Sequence, residues 1–272
     1  MVVILDVKTK EKITIGITGR KQNALALETA KLFAEMLGKK KVKVITDRAL
    51  FGKGKNAKNI SSFDCGLVLS FGGDGTLLQV FRDLKKRIPV MEINCGNRGF
   101  LSAYQHFEAE QAVEAIVKGN YSIQERTRIL AKADGKTCGE ALNEALLVPS
   151  TPGRILKYSL SIGAETRREA GDGLIVATPT GSTAHSLSAG GPIIRGNAKV
   201  FVVVSINPVI IDRSHRPLII NDHEKVSITG FEKIKPTLIL DGQKRFRVKN
   251  KAELIKGKNV LLAVKNPKKT RE

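Results

Sequence analysis

Apolar positions fall in short, separated runs whose spacing changes partway along the chain. Residues 13–18 (Ile-Thr-Ile-Gly-Ile-Thr) read as a strand. Leu25, Leu27, Ala30, Leu32, Phe33, Ala34 and Leu37 then recur at three- and four-residue spacings, which predicts a helix over 23–37 stopped by Gly38. Further strands are predicted at 42–45, 65–70 and 88–93, with helices over 76–86 and 107–118. Strands that alternate with helices imply a parallel, doubly wound α/β sheet. The stretch 51–62 mixes Gly, Asn, Ser and Lys with few apolar residues and predicts a mobile loop.

Near Tyr121 the texture changes. Apolar runs at 127–133, 142–148, 155–162, 173–177, 200–206, 217–220, 225–229, 237–240 and 259–264 are short and separated by turns, and helix-length stripes are nearly absent. Repeated short strands without helices predict an all-β, sandwich-like domain. The expected organisation is an α/β domain over 1–122, a β domain over 123–265 and a basic tail over 266–272.

A chain of 272 residues suits two domains, each large enough to bury its own core. Lys and Arg number 46 against 26 Asp and Glu, a balance of +20, while 42% of residues are hydrophobic, which excludes a disordered polycation. The charge favours anionic partners without choosing among them. Cys65, Cys95 and Cys138 lie far apart with neither zinc nor disulfide spacing, so a reducing, cytoplasmic setting is expected. The apolar start of the chain meets charge at Asp6, and no run of 18 apolar residues occurs, so neither an export signal nor a membrane span is expected.

Two segments concentrate chemistry. Gly72-Gly73-Asp74-Gly75-Thr76 follows a predicted strand and opens a predicted helix, the arrangement in which glycines admit a phosphate to free helix-start amides. A carboxylate there would be repelled by phosphate unless it holds Mg²⁺ or accepts a proton from an attacking hydroxyl; the plain alternative is a tight turn with Asp74 as helix cap. Neither GxxxxGK[ST] nor GxGxxG is present, which speaks against a P-loop ATPase and a dinucleotide dehydrogenase. Residues 171–192 form the second segment, whose hydroxyls on small residues let a flat or polyhydroxylated ligand approach the backbone, or else make a Ser/Thr-rich surface loop. Asn143-Glu144 interrupts an apolar run and suits ribose or adenine recognition, with a strand-edge polar pair as the alternative. Asp241-Gly242-Gln243 ends an apolar strand, where hairpin chemistry alone accounts for Asp-Gly.

Taken in order, residues 16–20, the GGDGT loop, residues 94–102, Asn143-Glu144, the 171–192 segment, 216–218 and 241–243 resemble the NAD kinase family. The resemblance implies an N-terminal α/β domain, a C-terminal β-sandwich and a cleft where NAD meets ATP. It implies Asp74 as the catalytic aspartate, with Asp241 in reserve, and Gly72, Gly73, Gly75 and Thr76 as the phosphate loop. It further implies Phe100, Asn143, Glu144, Asp172, Thr183, Ala184, His185 and Ser186 as NAD contacts. His185 stands where the family commonly has Tyr, and residues 207–217 also depart from the family form. Expected with it are ATP as donor, a divalent metal, Mg²⁺ by preference and placed with Asp74 through the phosphates, and a homodimer or homotetramer. The competing readings are a diacylglycerol-type lipid kinase, which shares the glycine loop but would need an apolar entry surface, and a basic nucleic-acid-binding protein. Against the second stands the lack of an aromatic-basic RNA motif, a helix-turn-helix cue or zinc spacing.

Overall fold

The computed structural model describes residues 13–97, 99–195, 198–209 and 216–266. They form two compact units, one from the residues up to Glu125 together with those from Val260 onward, the other from Arg126 to Asn259.

The first unit carries strands β1 (Thr14–Gly19), β2 (Lys43–Asp47), β3 (Ala57–Lys58), β4 (Leu67–Gly72), β5 (Val90–Asn94), β6 (Tyr104–Gln105) and β7 (Tyr121–Arg126). Its helices are α1 (Ala24–Lys39), α2 (Arg48–Phe51), α3 (Asp74–Asp83) and α4 (Ala109–Val117). The sheet runs β3-β2-β1-β4-β5, with β6 also on β5. Pairs β1/β2, β1/β4 and β4/β5 are all parallel. Strand order therefore reverses between β1 and β4, and in open α/β sheets ligands settle outside the carboxyl ends of the strands at such a point. One face packs Ile15, Ile17, Leu69, Phe71, Met91 and Ile93 against Ala30, Phe33 and Leu37 of α1. Phe33 and Phe71 meet edge to face at 5.0 Å. The stretch 51–62, expected as a loop, instead contains β3 and a 3₁₀ turn at Ile60–Ser62. Buried Ala57 explains this, because β3 pairs with the end of β2.

The second unit carries β8 (Ile129–Ala133), β9 (Lys136–Ala141), β10 (Glu144–Pro149), β11 (Leu156–Ile162), β12 (Glu165–Gly171), β13 (Gly173–Ala177), β14 (Val200–Ile206), β15 (Leu218–Asn221), β16 (Val226–Thr229), β17 (Pro236–Leu240), β18 (Lys244–Arg247) and β19 (Ala252–Lys256), with one short helix, α5 (His185–Ser188). Two antiparallel six-stranded sheets form among the described residues, β15-β14-β13-β10-β17-β18 and β12-β11-β16-β19-β8-β9. Alternate side chains from both enter one core, with Leu147, Val176, Phe201 and Leu238 from one sheet and Ile129, Leu160, Ile228 and Leu254 from the other. That is the expected sandwich.

Strand β20 (Val260–Lys265) departs from the expected division. Placed by its spacing in the β domain, it instead pairs parallel with β5, Leu262 opposite Val90, and stands between β5 and β7 in the first sheet. Its run Val-Leu-Leu-Ala-Val is the near-continuous apolar pattern of a strand covered on both faces, not the alternation of a sandwich strand. The first residue of the second unit is Arg126, three beyond the expected boundary. The basic tail past Asn266 lies outside the described residues. Among the described residues no helix is long and apolar enough to cross a membrane.

Candidate active site

In the first unit the glycine loop joins β4 to α3. Gly73 is the N-cap of α3, its carbonyl taking the amides of Thr76 at 2.7 Å and Leu77 at 3.2 Å, so Asp74 is the first helical residue and not the cap. None of Gly72, Gly73 and Gly75 adopts positive φ. Gly72 is needed for space, since a Cβ there would stand 2.2 Å from Thr76 Oγ1. A Cβ at exposed Gly75 would meet nothing within 4 Å, which leaves open room above the helix start.

The half-buried carboxylate of Asp74 holds the segment after β5. Phe100 N donates to Oδ2 at 3.1 Å and Leu101 N to Oδ1 at 3.2 Å. The same segment is tied elsewhere: Cys95 N donates to Gly72 O at 2.6 Å, and Asn23, the N-cap of α1, donates through Nδ2 to Cys95 O at 3.0 Å. Asn94 donates to Gln105 and accepts from Gly96 N. Phe100 itself is 72% exposed, an aromatic ring offered to solvent beside the glycine loop.

In the second unit Glu144 begins β10 and Asn143 immediately precedes it. Asp241 stands at φ +50° and Gly242 at φ +67°, with Gln243 N on Leu240 O at 2.9 Å, in the three-residue connection between β17 and β18. The Asp241 carboxylate also accepts the amides of Leu142 (3.0 Å), Asn143 (2.8 Å) and Glu144 (3.3 Å). From the other side Thr178 N donates to Asn143 O at 2.9 Å and Thr178 Oγ1 to Leu142 O at 2.5 Å. Gly181 lies so close that a Cβ would stand 2.0 Å from Asn143 O. The backbone of Asn143 is thus fixed on both sides, while its half-exposed amide side chain has no hydrogen-bond partner among the described residues. Glu144 is 7% exposed with Oε2 unpartnered; burial, and then the Asp241 charge, push its carboxyl up to about 7.

The 178–192 segment divides by exposure. Ser182 and Ser186 are fully buried, Ser182 bonding Pro179 O and Ile194 N while the Ser186 hydroxyl is unpartnered. Thr183 and His185 are exposed and Ala184 half-buried. Asp172 does not join them. It precedes β13 whereas Thr178 follows it, so the five strand residues between them set the two about 20 Å apart, and its carboxylate accepts Asn207 Nδ2 at 2.9 Å. Thr178 and Gly181, which fix Asn143, were legible only as part of a small-residue run. The grip of Asp241 on residues 142–144 spans nearly a hundred positions and has no local signal.

Family models match both halves: residues 15–121 fit the ATP-NAD kinase N-terminal domain and residues 142–265 the ATP-NAD kinase C-terminal domain. This chain belongs to the NAD kinase family. Among curated relatives the NAD kinase of Methanopyrus kandleri is 30% identical over 252 residues, 90% of each chain. That of Methanothermobacter thermautotrophicus is 33% identical, with 89% of this chain and 87% of the relative covered. Among solved structures, an NAD kinase from Archaeoglobus fulgidus in complex with ATP shares the fold at TM-score 0.76 and 22% identity, covering 93% and 94% of the two chains. Yeast NADH kinase complexed with NADH shares it at TM-score 0.82 and 22% identity, covering 94% and 85%. Membership of the NAD kinase family takes in both units, where a lipid-kinase likeness would rest on the glycine loop alone.

Proposed function

We propose that this NAD kinase family member transfers the γ-phosphoryl group of ATP to the 2′-hydroxyl of the adenosine ribose of NAD, giving NADP and ADP. Asp74 is the general base. As it takes the hydroxyl proton, the ribose oxygen bonds the γ-phosphorus, and the bond from that phosphorus to the bridging oxygen breaks to release ADP. The observation that carries this reading is the Asp74 carboxylate itself, half-buried at the first position of α3 beside open space at Gly75. Each of its oxygens accepts one amide and keeps a lone pair for a substrate hydroxyl.

The dinucleotide is recognised by the second unit, through the free amide of Asn143, the buried carboxyl of Glu144 and the exposed Thr183 and His185, whose imidazole can stack and donate as a Tyr would. ATP phosphates lie at the glycine loop, where helix-start amides and the α3 dipole favour them. Among the described residues no three His, Cys, Asp or Glu side chains group as metal ligands. In this reading the divalent ion, Mg²⁺ by preference, arrives on the ATP phosphates, whose charge it neutralises. Three unbridged cysteines support a cytoplasmic setting. Self-association through the second unit completes the reading.

The test is turnover of NAD with ATP, followed by an NADP-specific readout. Asp74→Asn keeps the shape, removes the base and lowers kcat by roughly 10²–10⁴-fold. A variant with near-wild-type kcat overturns the assignment.

A further inference from the structure

On the face of the first sheet that carries Val68, Ser70, Val90 and Glu92, away from the α1 core, an acid stands where an apolar residue would cost far less. Glu92 lies mid-strand in β5, fully buried, directly opposite Ser70 of β4, which is equally buried. Among the described residues neither carboxyl oxygen of Glu92 nor the Ser70 hydroxyl has a hydrogen-bond partner of good geometry, although the two side chains stand near one another. One register step further, Gly72 pairs with Asn94, and two residues past Gly72 stands Asp74. An unpaired carboxylate in such surroundings costs several kcal/mol, and a protein avoids that cost by keeping the group protonated.

Among the described residues no cation acts on the Glu92 carboxyl. From β4 comes only Ser70, and from α3 the buried side chains are Thr76, Leu77, Leu78, Val80 and Phe81, with Asp74 at the helix start. Strand β20 contributes apolar residues, and its Lys265 is paired with Glu108. Beyond β5, the thiol of Cys95 is pushed up to about 11 and is neutral. Burial holds the Glu92 carboxyl well above the usual carboxylate range, the nearby Ser70 hydroxyl eases this in part, and the Asp74 charge adds to it.

We propose that Glu92 is a positioning residue for the transfer, a neutral acid buried behind the glycine loop that adds no second negative charge beside Asp74. The inference rests on the reading of Asp74 as the base. In the working form the Glu92 carboxyl carries its proton. Loss of that proton at alkaline pH places a second, uncompensated charge beside Asp74 and repels the incoming ATP phosphates.

The experiment compares wild type, Glu92→Gln and Asp74→Asn over the whole pH range in which the fold survives, measuring kcat, kcat/KM for ATP and the urea unfolding midpoint. Gln mimics the protonated acid and cannot ionise. The expected result is an alkaline fall of kcat/KM for ATP in wild type that is lost in Glu92→Gln while the acid limb stays in place. The midpoint difference between these two should also grow as pH rises, since the unfolded chain releases a proton the folded one keeps. If Glu92→Gln retains the alkaline fall, or loses activity by the same factor at every pH, the proposal is overturned. A midpoint difference independent of pH means Glu92 is ionised in the fold and overturns it without reference to activity. Near-wild-type turnover by Asp74→Asn would instead fault the base assignment, whatever Glu92 does.

Discussion

The amide of Asn143 donates to Asp241 Oδ1 at 2.8 Å, and the amides on either side of it donate to the same carboxylate. The chain uses this device twice. Asp134, at φ +49° before Gly135 in the β8–β9 hairpin, accepts the amides of Lys249, Asn250 and Lys251 at 2.8, 2.7 and 3.0 Å. An aspartate that opens a hairpin turn at positive φ and holds another segment by three amides is a structural clasp, and Asp241 is best read as one.

Asp241→Asn should therefore lower stability and weaken NAD binding without abolishing the chemical step. One acceptor oxygen becomes an amide donor facing backbone N–H groups, and hydrogen bonds to a charged partner are worth about 1.5–3 kcal/mol. Chemical denaturation and steady-state kinetics check this. A loss of kcat as deep as that of Asp74→Asn, with an unchanged unfolding midpoint, would restore Asp241 to a catalytic role.

Glu144 gives a second expectation, in stability against pH. Its carboxyl rises from 4.5 to about 7 on folding. Its contribution is then fully present below about 4.5 and is lost as pH climbs through 7, because the unfolded chain binds fewer protons there. The loss is on the order of 3 kcal/mol. Glu144→Gln should remove this slope, measurable as a midpoint difference between variant and wild type that widens from acid to neutral pH. Parallel curves would show that Glu144 is already ionised in the fold.

Asn143 separates recognition from architecture. Its backbone is held by Asp241 and Thr178 while its side chain is free, so Asn143→Ala should fold normally. It should raise KM for NAD more than KM for ATP, by the equivalent of about 0.5–1.5 kcal/mol. Gly181→Ala should behave differently, because a Cβ 2.0 Å from Asn143 O forces the clasped segment to move. That variant is expected to lose NAD affinity and stability together, and calorimetric binding beside thermal unfolding distinguishes the two. Equal effects of Asn143→Ala on both substrates would place Asn143 outside the dinucleotide site.

Assembly is the remaining expectation. The uncharged 200–211 run is accounted for as far as Ile206 by β14, an interior strand with Phe201, Val202, Val203 and Val204 buried, so it marks no free surface there, and residues 210 and 211 lie outside the described residues. Val209 and Ile219, the latter on edge strand β15, are more than half exposed. Light scattering in about 0.5 M salt, where charge repulsion is screened within a few ångströms, should give at least twice 29.6 kDa. A monomer that turns over NAD at full rate would overturn the oligomer.

The strands that sequence patterning predicts and those it misses differ by position. Interior strands β4, β5, β13 and β14 read directly as apolar runs. The polar strands β9 (Lys-Thr-Cys-Gly-Glu-Ala), β12 (Glu-Thr-Arg-Arg-Glu-Ala-Gly) and β18 (Lys-Arg-Phe-Arg) are all sheet edges. Edges face water, and charge there blocks unwanted pairing, so the apolar signal is absent for a physical reason. Strand β19 is an interior exception, hidden by the charges that flank Leu254 and Ile255. At the candidate site, Asp74 and Asn143-Glu144 stood out because polar groups there interrupt patterns that would otherwise be structural. Glu92 did not, since one acid in Val-Met-Glu-Ile-Asn is no pattern until pairing with Ser70 shows where it is buried.

The return of β20 to the first sheet bears on how the protein comes off the ribosome. The α/β unit has its amino-terminal strands available early, yet the strand seated between β5 and β7 is synthesised after every other described strand. Until then the β5 edge of the nascent sheet stays open along Val90 and Met91, with only its Ile93–Asn94 end covered by β6, and β7 lacks its β20 neighbour. The β unit, continuous in sequence, can close first. Vectorial synthesis therefore favours maturation of the later-made unit ahead of the earlier one, and a nascent chain halted before Val260 should resist protease in its β unit while its glycine loop remains digestible.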